Sequence, residues 1–348
     1  MALDADRPRA PRAAPHATHK LKLLLRREFW EHKGGFLWAP VWAGGISLVL
    51  TLMALIFGEV AARRAAASGK LQIDGDVMIN GLDLGMITSK MDAEDLRKLA
   101  GGIDLSMLSS SMWPLIVLGF VVFFYCLGSL YDERKDRSVL FWKSLPVSDR
   151  DTVLSKAASA LLVAPTLAIG AAIATMFAFL LLLSVFVLLH NGNPIQLLWG
   201  AGNPLANAGL MLAAIPVYTL WALPTVGWLL LCSAWSRSKP FLWAIVIPLF
   251  AGIFITWFDV MNLFDLESGW FWKNVVARLL GGVFPGTWIE VANTDGLRFK
   301  TPGDMFGHLD ALKAMYSVLA TTQLWIGAAA GIAMITGAIR LRRWRDEG

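Results

Sequence analysis

The sequence predicts an all-α integral membrane protein with six transmembrane helices, and three observations carry that expectation. Of its 348 residues 56% are hydrophobic and only 16% are charged, against roughly 25% charged in soluble domains. Five runs (34–58, 105–131, 157–236, 241–258 and 314–339) contain no Asp, Glu, Lys or Arg, and about 20 apolar residues are enough to cross a hydrocarbon core of about 30 Å. Charge is also sorted along the chain. With the N-terminus inside, 20 of the 31 Lys and Arg fall on inner segments, and the other 11 lie in two long outer loops where the positive-inside rule weighs little. Both termini are therefore expected in the cytoplasm. This sorting also argues against reading the net charge of +5 as a nucleic-acid surface.

Residues 1–17 are rich in Ala, Pro and Arg, have no apolar signal core, and read as a disordered cytoplasmic tail. Over 18–33, Leu21, Leu24, Leu25 and Phe29 recur at helical spacing among Lys20, Lys22, Arg26 and Arg27. That pattern predicts an amphipathic helix in the inner interface, and Gly34-Gly35 with Pro40 predicts a bend before the first span. The transmembrane domain occupies 34–348, with spans at about 36–58, 112–131, 157–189, 207–233, 241–258 and 316–339. The 80 charge-free residues of 157–236 are too long for one helix, and Asn191-Gly-Asn-Pro with Gly202-Asn-Pro supplies the turn that makes two.

Three connections stand out. The outer loop 59–111 carries Asp74, Asp76, Asp83, Asp92, Glu94, Asp95 and Asp104 and is expected to form a small extracytoplasmic lobe, helical at 61–67 and 93–99. Its Asp-Gly-Asp lacks the spacing and terminal Glu of a calcium loop, so turn chemistry explains it. In the inner loop 132–156, charges bracket the apolar knot Val139–Trp142, which water disfavours unless a partner or the membrane covers it. Ser148 offers an N-cap to the following helix, with Asp151 three residues on. The outer region 259–313 holds two short apolar pieces, 269–280 and 283–292, broken at Gly281-Gly282 and Pro285-Gly286. They suit a re-entrant or interfacial helical hairpin with Trp270, Trp272 and Trp288 at headgroup depth; a soluble outer subdomain is the other reading.

The proposed spans carry no Asp, Glu, Lys, Arg or His, which argues against a proton-coupled carrier. No phosphate-cradling, zinc-protease or nucleophile-elbow motif occurs in the chain. The five histidines are scattered, and Cys126 and Cys232, inside apolar spans, are expected to pack as small hydrophobes. Gly327 and Gly331 form a small-residue face suited to packing within the chain or between chains. No catalytic, cofactor or metal site is expected, and any work must be powered by another polypeptide.

The order of elements resembles that of the ABC-2 type permeases, the membrane subunits of type V ABC exporters: an interfacial helix, six spans, a charged inner loop between spans two and three, and an outer hairpin between spans five and six. The sharpest local likeness is 132–156, with its Asp-Glu-Arg exit, short apolar stretch, Leu-Pro-Val-Ser turn and closing Lys156. The loop 59–111 departs from any fixed pattern and leaves the substrate open. The resemblance implies an inner coupling loop that contacts a cytoplasmic ATPase through Leu140, Phe141 and Trp142, rimmed by Arg134, Arg137 and Lys143. Lys22, Leu25, Arg26 and Phe29 of the interfacial helix would belong to the same docking surface. It further implies two ABC ATPase subunits that carry the ATP and Mg, a second permease subunit, identical or homologous, and a place in the bacterial inner membrane, exporting a hydrophobic or amphipathic substrate. The alternative is a membrane scaffold or receptor subunit acting through its outer loops without transport.

Overall fold

The computed structural model describes residues 17–67, 72–73, 76–77, 92–139, 147–200, 202–261, 267–293 and 308–344. Six of its helices are long and apolar enough to cross a membrane, and the chain is a multi-pass membrane protein. In order they are α2 (Ala39–Ala67), α3 (Ala93–Ser129), α6 (Ala164–Leu189, continuous with the preceding α5, Asp149–Ala158), α7 (Pro204–Trp235), α8 (Pro240–Val260) and α12 (Thr322–Trp344). Shorter helices are α1 (Ala17–Glu31), α4 (Tyr131–Lys135), α9 (Ser268–Phe271), α10 (Ala277–Gly281) and α11 (His308–Ser317). The bundle has a proximal end, where α1, α4, α5 and the C-termini of α7 and α12 meet, and a distal end that carries the turn after α6.

Most described helices run longer than their charge-free cores. The helix α3 begins at Asp92, which caps it by accepting from the Glu94 and Asp95 amides at 2.9 and 2.8 Å, about five turns before the expected start of the second span. Much of the loop 59–111 is thus helical extension of α2 and α3. Within the remainder, two-residue strands β1 (Gln72–Ile73) and β2 (Asp76–Val77) pair antiparallel, the one described departure from an all-α chain. Asp104, read as part of that polar loop, is instead buried in α3 and accepts from the Asn203 amide and Asn207 Nδ2, both at 3.0 Å. A buried carboxylate needs such donors, and these two tie the start of α7 to α3.

No gap separates α1 from the first span. Helical bonding continues through His32 and Phe36, and where a bend was expected the chain makes a π-helical turn at Gly34–Trp38, just before Pro40. A second π-turn, Ser159–Val163, precedes Pro165 on the way into α6. Proline removes a donor and crowds the carbonyl four residues back, and a widened turn accommodates both. The 157–236 run divides as expected: α6 ends at His190, Asn191 takes a left-handed φ of 58°, and α7 starts with Pro204.

The apolar core lies between α3, α6, α7 and α12, and it includes both cysteines. The side chains of Leu50, Phe57, Leu181, Val185, Phe254 and Trp257 face outward, the surface that lipid covers. The pair α7–α12 is held by small residues. A Cβ on Gly227 would come within 2.5 Å of the Gly331 carbonyl oxygen, and one on Gly331 within 2.6 Å of the Leu223 oxygen. The glycine face of the last helix therefore serves packing within the chain.

The sixth span is broken. α11 leads through a 3-10 turn (Val318–Ala320) to an extended Thr321 before α12 begins. Beside this break sits the hairpin α9–α10, made of one helical stretch with a π-turn (Trp272–Val276) and a single 3-10 turn (Thr287–Val291) where a second short helix was expected. It meets α7 at Tyr218, Trp221 and Thr225, roughly 20–30 Å along that helix from Pro204 at about 1.5 Å per residue. Tyr218 donates to the Val283 carbonyl at 3.0 Å and Thr225 to that of Arg278 at 2.6 Å. The buried Arg278 guanidinium stacks on Trp221 at 4.1 Å and donates to the Gln323 and Leu324 carbonyls at 2.6 and 3.4 Å. Gly327 leaves the room that guanidinium occupies. Of the three hairpin tryptophans only Trp270 is exposed. Trp272 donates to Thr256 Oγ1 at 2.8 Å, and Trp288 is buried edge-on to Tyr218, so those two rings are used in packing the protein.

Candidate functional site

At the proximal end, six acidic and basic side chains from four elements meet in a cluster that is largely closed to solvent. α1 contributes Arg27 and Glu28, α4 Glu133, α5 Asp149 and Lys156, and α12 Arg342. The local sequence places them well. Glu28 follows Leu24 by four residues on the buried face of α1, and Ser148 caps α5 by accepting from the Asp151 amide at 3.0 Å, as expected from the Ser148–Asp151 spacing.

Lys156, 2% exposed, lies 3.1 Å from Glu28 Oε1 and 3.0 Å from Glu133 Oε1. The second contact is poorly aligned for a hydrogen bond, so that oxygen is held by charge, with Arg27 a further 3.6 Å away. The other Glu133 oxygen accepts from Arg342 Nη1 at 2.6 Å, and Arg342 Nε donates to Asp149 Oδ1 at 3.2 Å. Tyr125 of α3 donates its hydroxyl to Glu28 Oε2 at 2.8 Å. Three acids thus face three bases and the formal charge closes at zero. Removing such ions from water costs several kcal/mol each, and only mutual pairing with good hydrogen bonds offsets it. The cluster survives burial because every member has an opposite charge in reach. Mechanically it joins α1, α3, α4, α5 and α12 as one piece.

A second lock adds α7. The Ser233 hydroxyl accepts from the Leu130 and Tyr131 amides at 3.1 and 3.0 Å and donates to the Leu127 carbonyl at 2.7 Å. Arg134 donates to the Ser233 carbonyl and to that of Ser236, the latter at 2.9 Å. Those are the free carbonyls at the C-terminus of α7, where a cation is favoured. Arg134, expected on a docking rim, is therefore turned into the bundle.

Arg137 is exposed, with a left-handed φ of 56° that turns the chain after α4. Leu140, Phe141, Trp142 and Lys143 lie outside the described residues, in the segment 140–146 that joins α4 to α5. On α1, Lys22 and Arg26 are exposed with Trp30 in the same i, i+4, i+8 row, while Leu25 and Phe29 are half-buried. The helix thus has an exposed basic and aromatic stripe opposite its Leu24–Glu28 face, with Lys33 over the Trp30 ring at 5.1 Å.

The cluster itself was only partly visible in advance, through Lys156 as the closing residue of the loop. A carboxylate within the apolar face of an amphipathic helix, Glu28, is the signal that could have found it. Among the described residues no group of His, Cys, Asp and Glu could hold a metal ion. No protein-family model, curated protein or solved structure matches the chain.

Proposed function

We propose that the chain is the permease subunit of an ATP-driven exporter of the ABC-2 type, working in the bacterial inner membrane with its proximal end in the cytoplasm. The observation that carries this reading is the ion-paired junction at that end. The segment between α4 and α5, which carries the apolar knot Val139–Trp142, is anchored on both sides by members of one cluster, Glu133 before it and Asp149 and Lys156 after it. A push on that segment is passed as a rigid displacement to α1, α3, α5 and α12, and through Ser233 and Arg134 to α7. Two ABC ATPase subunits carrying ATP and Mg would supply the push, and a second permease copy or homologue would complete the path. The basic stripe Lys22–Arg26 would join the docking surface. The chain's own part is mechanical, with no cofactor and no catalysis.

The test is purification from the native host. An ATPase subunit is expected to travel with the wild-type chain and to be lost from Phe141→Asp and Trp142→Asp proteins that still reach the membrane. Persistence of the association in both would count against the role given to Phe141 and Trp142, and no ATPase at all with the wild type would favour a non-transporting scaffold.

A further inference from the structure

A groove of about 560 Å³ opens at the proximal end between the start of the first span and α3, a volume within the roughly 300–1,000 Å³ typical of small-molecule sites. Its walls are aromatic. Phe36 and Tyr125 meet edge to face at 4.9 Å but are themselves buried, and Phe120 and Phe124 stand more than half exposed beside them. Toward the proximal end the groove is bordered by Glu31 and Asp132, and neither Lys nor Arg lines it among the described residues.

The two carboxylates differ. Glu31 is paired with Arg27 at 3.3 Å. Asp132 has no cation within 4 Å among the described residues, and it folds back over Gly128, where an added Cβ would come within 2.6 Å of its Oδ2. The His32 ring, also at the groove, stacks on Phe36, and its Nδ1 is buried with no hydrogen-bond partner among the described residues. Aromatic faces attract cations through their quadrupole, the more so where water is excluded. An exposed carboxylate at the end of such a groove, with no cation beside it among the described residues, selects the same sign of charge, while the apolar walls select a hydrophobic body.

We propose that this groove binds a lipophilic monocation from the membrane, its apolar body against Phe120 and Phe124 and its charge at Asp132. As a binding site the groove stands on its own geometry; as the entry of a transported cargo it rests on the exporter reading above. Purified protein in phosphatidylcholine nanodiscs separates the two, because binding there needs neither ATP nor an ATPase.

The probes are tetraphenylphosphonium and tetraphenylborate, nearly equal in shape and opposite in charge, measured by equilibrium dialysis. Saturable binding of the phosphonium near one per chain is expected, with no saturable binding of the borate. Asp132→Asn is expected to weaken it about tenfold or more, and Phe124→Ala, at a side chain more than half exposed, several-fold. Equal binding of both ions would overturn the proposal, as would affinity unchanged in both variants. Loss of phosphonium binding when phosphatidylethanolamine replaces phosphatidylcholine would also overturn it, by assigning the groove to a lipid primary ammonium, which can donate hydrogen bonds to Asp132 as the choline group cannot.

Discussion

At the scale of single residues, Lys156 holds the most exacting position. It faces Glu28 and Glu133 with almost no access to water, so Lys156→Met leaves buried carboxylates short of a partner. The expected cost is about 3–5 kcal/mol, read as a lower unfolding temperature in detergent. Glu28→Gln added to Lys156→Met is expected to recover a large part of that loss, and an additive double variant would mean that the two do not interact. His190, just past the end of α6, gives a pH-dependent counterpart at the distal end. Its Nδ1 faces the Phe186 carbonyl at 2.8 Å and its Nε2 faces Glu59 at 2.7 Å, with Arg63 on the far side of Glu59. The Phe186 carbonyl foremost, and then Glu59, raise the histidine's pKa above the usual value. A raised pKa stabilises the folded state fully below the unfolded value of about 6.5 and loses that contribution as pH rises through the folded one. The thermal advantage of wild type over His190→Gln is therefore expected to be larger at pH 5.5 than at pH 8.5; a constant difference would contradict it. Little of this chemistry was legible from composition. Glu28, Glu133 and Arg342 sit in charged stretches whose default reading is solvated, and only the meeting of four separate elements buries them.

At the scale of elements, the α7–α12 contact depends on backbone approach at Gly227 and Gly331. Gly331→Leu is expected to force the helices apart and lower stability by more than the about 1–3 kcal/mol typical of overpacking, because backbone rather than a mobile side chain opposes it. Gly45→Leu, where nothing lies within 4 Å, is the matched control. The span centres were legible because lipid excludes charge, so each charge-free run marks a helix. Their ends were not, because α3 and α5 continue as amphipathic helix past the charge-free runs. The break at Thr321 left no mark either, since 314–339 contains no proline and its only glycines, Gly327, Gly331 and Gly337, fall well after the break. Tertiary partners decide it: the hairpin places Arg278 against the first carbonyls of α12. The same hairpin was read as two helices because Gly281-Gly282 and Pro285-Gly286 do break the chain, but 287–291 is long enough for only a single 3-10 turn.

At the scale of the whole molecule, six spans form a largely apolar wall, and the buried ion pairs concentrate at one end. That asymmetry is what the exporter reading uses: force applied to the segment between α4 and α5 has a stiff path into five of the six spans. Orientation and partner follow from one experiment. A photo-crosslinking amino acid placed at Phe141 or Trp142 in living cells probes what covers the apolar knot, and the same residue at Trp257, on the exposed face of α8, reports the background. The exporter reading requires an adduct with a nucleotide-binding ATPase from 141 or 142 and none from 257. Variants inserted at normal levels that yield no ATPase adduct from either position would contradict it.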